Sequence, residues 1–328
     1  MPMIRVLSAQ QVREAVSMHE AIDAMRSAFS QLAAGQADMP QRPILESKRG
    51  TSFIMPAYLS GSDDLAIKVV SVYPDNAAKG LPLIMGAVLV LDTTTGAPLA
   101  VIDGSSLTAI RTGAVSGLAT ELLARPDADT VAIFGAGVQA RTQLEAVCTA
   151  REVRSVRVYD LRPEHLEAFV AEMAGFGAIP DDVQAATSPA EAVQGASIIA
   201  CATTSRTPVF DGDDLAPGAH VNAVGAYTPE MREIDEKVVT RAKIVVDHRE
   251  AAWEEAGDLI IPRDEGLIGE EDIHAEIGEV VNGDRPGRES DDEIIFFKSV
   301  GVAVQDAAIA PVILKAAEAR GIGTLAEL

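Results

Sequence analysis

The sequence predicts an α/β protein in which a doubly wound parallel sheet is inserted into a second domain of mixed α+β character. Three observations predict it. From residue 130 onward, short apolar runs alternate with helical stretches, the order of a parallel sheet with crossover helices. The first of those runs ends in a glycine turn, TVAIFGAGVQA, at residues 130–140. Ahead of it, residues 51–102 hold four β-rich runs broken by Gly, Pro and Asp-Asn turns, the pattern of antiparallel hairpins.

Residues 8–35 place Val12, Ala15 and Val16, then Ala21, Ile22, Met25, Phe29 and Leu32, at helical spacing, with Gly35 as a stop. Two helices are predicted there. The runs TSFIMPAYL, LAIKVVSVY, IMGAVLVLD and PLAVID then predict an antiparallel meander. Helical spacing returns at residues 107–123 and stops before Arg125-Pro126, since the residue before a proline disfavours helix. Beyond the glycine turn a helix runs to about Ala150, SVRVYD follows as a strand, and a second helix runs to about Gly175. ASIIACATT, HVNAVGA, AKIVVDH and EIIFFKSVG continue the strands, and residues 302–321 form a final helix. The parallel-sheet unit begins only near Thr130, so the preceding segment must supply any substrate pocket, with the last helix packing back on it. The expected division is residues 1–112 plus 305–328 for substrate, and 113–304 for the inserted unit.

A chain of 328 residues, 48% hydrophobic and 23% charged, suits two cores. Net charge is −22, and only seven of the 27 basic residues are Lys, so the surface repels polyanions and nucleic acid is not an expected partner. No apolar run approaches the roughly 20 residues of a membrane span, and the start MPMIRVLSAQQ lacks a secretion signal's apolar core. A cytoplasmic protein without membrane partners is expected. Cys148 and Cys201 lie in apolar segments and read as small buried hydrophobes, and the five histidines show no paired ligand spacing, so no metal is assigned.

The chemistry starts at the glycine turn. Gly135 and Gly137, with the small Ala140, let the chain pass tightly from strand to helix, so that backbone N–H groups at the helix start can receive a pyrophosphate. About twenty residues on, Asp160 ends the next strand, where a carboxylate holds the ribose hydroxyls of NAD and repels a 2′-phosphate. Arg162 stands two residues further and can accept that phosphate, so NAD is favoured and NADP stays possible. In the first domain three cations have apolar or small neighbours: Arg42, Lys68 within LAIKVVSVY, and Arg111 in LTAIRTGA. Lys68 lies either on a solvated face or in a polar pocket. Together the three can clamp a small carboxylate.

The segments NAAKGLPLIMGAVLVLDTTTGAPLAVIDGSSLTAIRTGAVSGLAT, IFGAGVQA, ATTSRTPVF, VGAYTPEMREID and FFKSVGVAVQDAAIA resemble the ornithine cyclodeaminase and mu-crystallin family, which includes archaeal alanine dehydrogenases and imine reductases. The resemblance runs from about Arg42 to Ala310. It implies a Rossmann domain inserted between two segments of an outer domain, and a homodimer whose outer strands pair across subunits. It places carboxylate-binding arginines at Arg42 and Arg111 and the catalytic lysine at Lys68. Cofactor contacts fall on Thr112, Val138, Gln139, Asp160, Thr203, Thr204, Ser205, Val224, Gly225, Ala226 and Ser299, and Val300 falls beside the substrate. In the cyclodeaminase branch an Asp follows the VG strand, with a Lys four residues later; here Tyr227 and Met231 stand in those places. Tyr227 can donate a hydrogen bond to substrate but is a poor base near neutral pH. The resemblance therefore implies an NAD(P)H-dependent reductase of cyclic ketimines or an L-alanine dehydrogenase. The alternatives are an ornithine cyclodeaminase and a non-catalytic crystallin-like binder.

Overall fold

The computed structural model describes residues 3–328 and divides the chain into two compact units, one running to Arg111 and resuming at Val302, the other from Thr112 to Gly301. In the first unit β1 (Met3–Leu7) leads into α1 (Ala9–Ala15) and α2 (Met18–Ala33). A capping box starts α2: Glu20 N donates to the Ser17 hydroxyl at 3.3 Å, and Ser17 N donates to the Glu20 carboxylate at 2.9 Å. The stripe Ala21, Ile22, Met25, Ala28 and Phe29 is fully buried, as its helical spacing requires.

Short β2 (Ala37–Asp38) and β3 (Ile44–Glu46) flank β4 (Thr51–Leu59), and the meander continues through β5 (Asp64–Val72), β6 (Ile84–Leu91) and β7 (Pro98–Asp103). Each neighbouring pair is antiparallel, and the register sets Met55, Lys68, Val88 and Ile102 in one row across four strands. Every member of that row is buried, and Lys68 is its only polar residue. Period-2 alternation sends Ile67, Val69, Met85 and Leu89 to the opposite face, where they are half-buried or exposed. Helix α3 (Gly104–Leu123) starts three residues before its apolar spacing does, because Asp103 caps it by accepting from Ser106 N at 2.8 Å.

The second unit is a single parallel sheet. It comprises β8 (Thr130–Phe134), α4 (Val138–Ala150), β9 (Ser155–Tyr159), α5 (Pro163–Met173), β10 (Val183–Ala185), α6 (Pro189–Val193), β11 (Ile198–Cys201) and β12 (His220–Ala223). It continues with α7 (Glu236–Val239), β13 (Lys243–Val246), α8 (Arg249–Glu255), α9 (Gly257–Asp264), β14 (Ile273–Glu276), α10 (Ile277–Asn282) and β15 (Ile295–Lys298). The spatial order is β10-β9-β8-β11-β12-β15-β13-β14, with every pair parallel. Ala132, Phe134, Ile199 and Cys201 join one buried cluster, and Val131, Ile133, Ile198 and Ala200 join another. Both faces are covered, which is why these strands read as unbroken apolar runs.

The chain returns to the first unit with α11 (Ala303–Arg320), which packs on α2 and on β4, β5 and β6. Finally β16 (Thr324–Glu327) pairs antiparallel with β1, which in turn runs parallel to β7. Among the described residues no helix is long and apolar enough to cross a membrane.

Candidate functional site

Two clusters of candidate residues form, one in each unit. In the second unit the glycine turn follows β8. Gly135 has φ +97°, and a Cβ there would stand 2.8 Å from the Ala202 carbonyl oxygen, so only glycine fits. A Cβ on Gly137 would meet nothing within 4 Å, so the backbone at the start of α4 faces open space. Asp160 braces the turn: its Oδ2 accepts from Ala136 N at 3.0 Å and its Oδ1 from Arg162 N at 2.9 Å. The Arg162 guanidinium lies 3.7 Å from the same carboxylate. Val138 is exposed, and Gln139 Oε1 is buried with no hydrogen-bond partner among the described residues. An open glycine turn, free N–H groups in the first helical turn and an orphaned acceptor on that helix fit a dinucleotide.

The remaining candidates of this unit follow the C-terminal ends of neighbouring strands. Thr203, Thr204 and Ser205 follow β11; Val224, Gly225, Ala226 and Tyr227 follow β12; Ser299 and Val300 follow β15. Open α/β sheets bind ligands along this edge, at the point where strand order reverses. Here that point lies between β8 and β11. Thr112 lies in α3, and its carbonyl accepts from Gln143 Nε2 at 3.0 Å.

Three buried carboxylates that sequence reasoning did not single out, Glu233, Asp258 and Asp247, hold this rim. Glu233 accepts from Thr203 N at 2.5 Å, Gly225 N at 2.7 Å and Ala226 N at 3.1 Å. Asp258 accepts from Glu233 N at 2.6 Å and Ile234 N at 2.9 Å, and pairs with the fully buried Lys298 at 2.8 Å. Burial, and then the Asp258 charge, push the Glu233 carboxyl up to about 7. Asp247 performs the same service beyond β13, accepting from the Ser299 hydroxyl at 2.7 Å, Val300 N at 3.0 Å and Gly301 N at 2.8 Å. Glu233 sits in PEMREID, among acids and bases that look alike in the sequence. Lys298, a cation at the end of the apolar run IIFF, did carry a signal.

In the first unit Lys68, on β5, is 1% exposed and its Nζ lies 2.7 Å from Asp306 Oδ2 on α11. Arg111, from α3, is buried too, with its Nε 3.5 Å from Asp306 Oδ1 and NH1 donating to Gln305 Oε1 at 2.8 Å. The same Gln305 oxygen accepts from Val302 N at 2.9 Å, and its amide donates to Met25 Sδ at 3.6 Å. Arg42 lies between β2 and β3, its guanidinium 5.5 Å from the Phe53 ring centre. The Lys68 ammonium is lowered to about 8, chiefly by burial and further by the Arg111 and Arg42 charges, while Asp306 opposes the shift. Two buried cations thus share one buried carboxylate, and the surplus positive charge suits an anion.

The three cations named from sequence fall in one unit, and the cofactor candidates, from Thr112 to Ser299, fall in the other. Asp306 and Gln305 were not anticipated. In the first turn of a helix an acid reads as a partner of the helix dipole, which hides any other role.

A model of the ornithine cyclodeaminase/mu-crystallin family matches residues 3–321. The chain is 42% identical over 321 residues to a Delta(1)-pyrroline-2-carboxylate reductase of Bacillus cereus, covering 97% of this chain and 98% of that protein. The structure of Thermococcus litoralis Delta(1)-pyrroline-2-carboxylate reductase in complex with NADH and L-proline superposes with a TM-score of 0.93 at 43% identity, covering 98% of this chain and 99% of that one. An archaeal alanine dehydrogenase dimer with bound NAD superposes with a TM-score of 0.93 at 36% identity over the whole of both chains.

Proposed function

The chain belongs to the ornithine cyclodeaminase/mu-crystallin family, and on that footing we propose that it is an NAD(P)H-dependent oxidoreductase of small 2-imino acids. Its substrates are cyclic ketimines such as pyrroline-2-carboxylate or piperideine-2-carboxylate, or iminopyruvate. In reverse it oxidises the matching L-amino acid. The observation that carries this reading is the buried Lys68–Asp306–Arg111 cluster, a positively charged site with a lysine poised near neutral pH.

NAD is the cofactor, held by the glycine turn, Asp160 and the rim that Glu233 and Asp247 organise; when bound as NADH it supplies the hydride that the imine carbon takes up. Arg42 and Arg111 grip the substrate carboxylate, a positioning role that accounts for much of the rate in such reactions. Lys68, charged, gives a proton to the imine nitrogen as that nitrogen gains electrons. Neutral, it takes the proton from the amine in the reverse direction. The sum is imine, NADH and one proton going to amine and NAD. Tyr227 and Val300, which follow β12 and β15, are the second unit's candidates for substrate contact. Burial raises the Tyr227 hydroxyl further, which leaves it a donor rather than a base. Met231 is buried and carries no ionisable group, so ring closure of ornithine has no acid or base at that place.

The test offers the purified protein NADH with pyrroline-2-carboxylate, piperideine-2-carboxylate, or pyruvate plus ammonium, and separately offers NAD with ornithine. Stoichiometric NADH oxidation with an imine is expected, with no ammonia from ornithine. Ammonia release at constant NADH absorbance would make it a cyclodeaminase. Lys68→Ala should lose about 100-fold or more in kcat/KM while still binding NADH. A fully active variant would remove Lys68 from the chemistry.

The uncovered apolar face carrying Val69 and Met85 supports a homodimer through the meander, which sedimentation equilibrium tests. Two buried, unpaired cysteines agree with a cytoplasmic setting.

A further inference from the structure

We propose that Asp306 is the positioning residue that keeps the proton on Lys68, so that Gln305 and Asp306, adjacent in the first turn of α11, set both the aim of Arg111 and the charge state of the lysine. The inference rests on Lys68 being the proton carrier.

Asp306 is 1% exposed and stands 2.7 Å from Lys68. The other charges facing Lys68 are Arg111 from α3 and Arg42 from the loop before β3, both cations. The residues opposite it on β4 and β6 are Met55 and Val88, which carry no charge. Lys315, Glu318 and Arg320 lie in the later turns of α11, well along the chain from Asp306, and are not among the causes acting on Lys68. Among the described residues Asp306 is therefore the one anion set against burial and two guanidiniums. Without it the lysine would lose its proton at a lower pH. Gln305 complements this, because one oxygen receives both Arg111 NH1 and Val302 N and so ties the guanidinium to the start of the helix.

The experiment compares the unsubstituted protein with Asp306→Asn, Asp306→Glu and Lys68→Met, reading kcat/KM for pyrroline-2-carboxylate with NADH between pH 6 and 10. NADH fluorescence titration reports folding of each. The unsubstituted protein should lose activity above about pH 8, as Lys68 deprotonates. Asp306→Asn should move that limb down by about one pH unit or more, leaving kcat/KM at pH 8 about fivefold lower and pH 6 little changed. The limb of amino-acid oxidation should move the same way. Asp306→Glu, which keeps the charge, should keep the limb near 8. A rate lowered equally at every pH, with the limb unmoved, overturns the proposal and leaves Asp306 a packing residue. If Asp306→Asn no longer binds NADH, Asp306→Glu decides alone: a limb kept near 8 supports the proposal, and one displaced by about a unit overturns it. An active Lys68→Met would instead sink the proposed role of the lysine, a result distinct from either.

Discussion

At the scale of single residues, the polar groups that matter are those whose burial is unexplained by the local pattern. Lys68 stood out because LAIKVV is otherwise apolar, and a cation buried in such a strand needs a partner. Its partner was not legible, because Asp306 approaches only through the packing of α11 on β5, and no local spacing records that contact. Asp160 illustrates the opposite case. Its place at the end of the second strand predicted a ribose ligand, and the structure adds that the same carboxylate already receives Ala136 N and Arg162 N. Replacing it should therefore act twice, by freeing Arg162 and by slackening the turn. Asp160→Ser is expected to weaken NADH and to raise the NADPH-to-NADH preference by about tenfold, roughly 1.4 kcal/mol, read as the ratio of their kcat/KM values. An unchanged ratio would show that this position does not select the cofactor.

Among elements, the meander and the main parallel strands follow from periodicity, since alternation of two marks β4 to β7 and unbroken apolar runs mark β8, β11 and β15. The strands that escaped are short, namely β1, β2, β3, β10, β14 and β16, of which β2, β10, β14 and β16 end their sheets, and the short helices α6 to α10 were not marked individually either. TLAE has little strand propensity of its own, and it becomes β16 only because β1 offers a ladder from the far end of the chain. The loop ends of β11 and β12 were overextended for a related reason: ATT and VGA carry short side chains, β-branched or small, that continue the strand pattern, yet they leave the ladder where Glu233 captures the N–H groups of Thr203, Gly225 and Ala226. That clasp predicts a separable phenotype. Glu233→Gln turns an amide donor toward groups that are themselves donors, at about 1–3 kcal/mol for each buried N–H left unpaired. NADH affinity should fall by tenfold or more by this reckoning, with the imine KM nearly unchanged. Equal losses in both would mean that the clasp serves the whole fold rather than the cofactor rim.

For the whole molecule, the dominant quantity is charge. Carboxylates outnumber cations by 49 to 27, so the chain as a whole repels anions, while Lys68, Arg42 and Arg111 make the substrate cluster attractive to them. Screening should relieve self-repulsion, so the unfolding temperature should climb as sodium chloride rises from about 0.01 M to about 0.5 M, where the Debye length shrinks from about 30 Å to only a few ångströms. A midpoint that falls across that range would contradict this. The same imbalance reverses the usual rule for charged ligands. NADH and an imino acid both carry negative charge, and each approaches a chain of like net charge. Capture by this protein should quicken, not slow, as ionic strength is raised. The ions of its surroundings then act as a toll-gate for reducing power, opening the approach in concentrated medium and narrowing it in dilute.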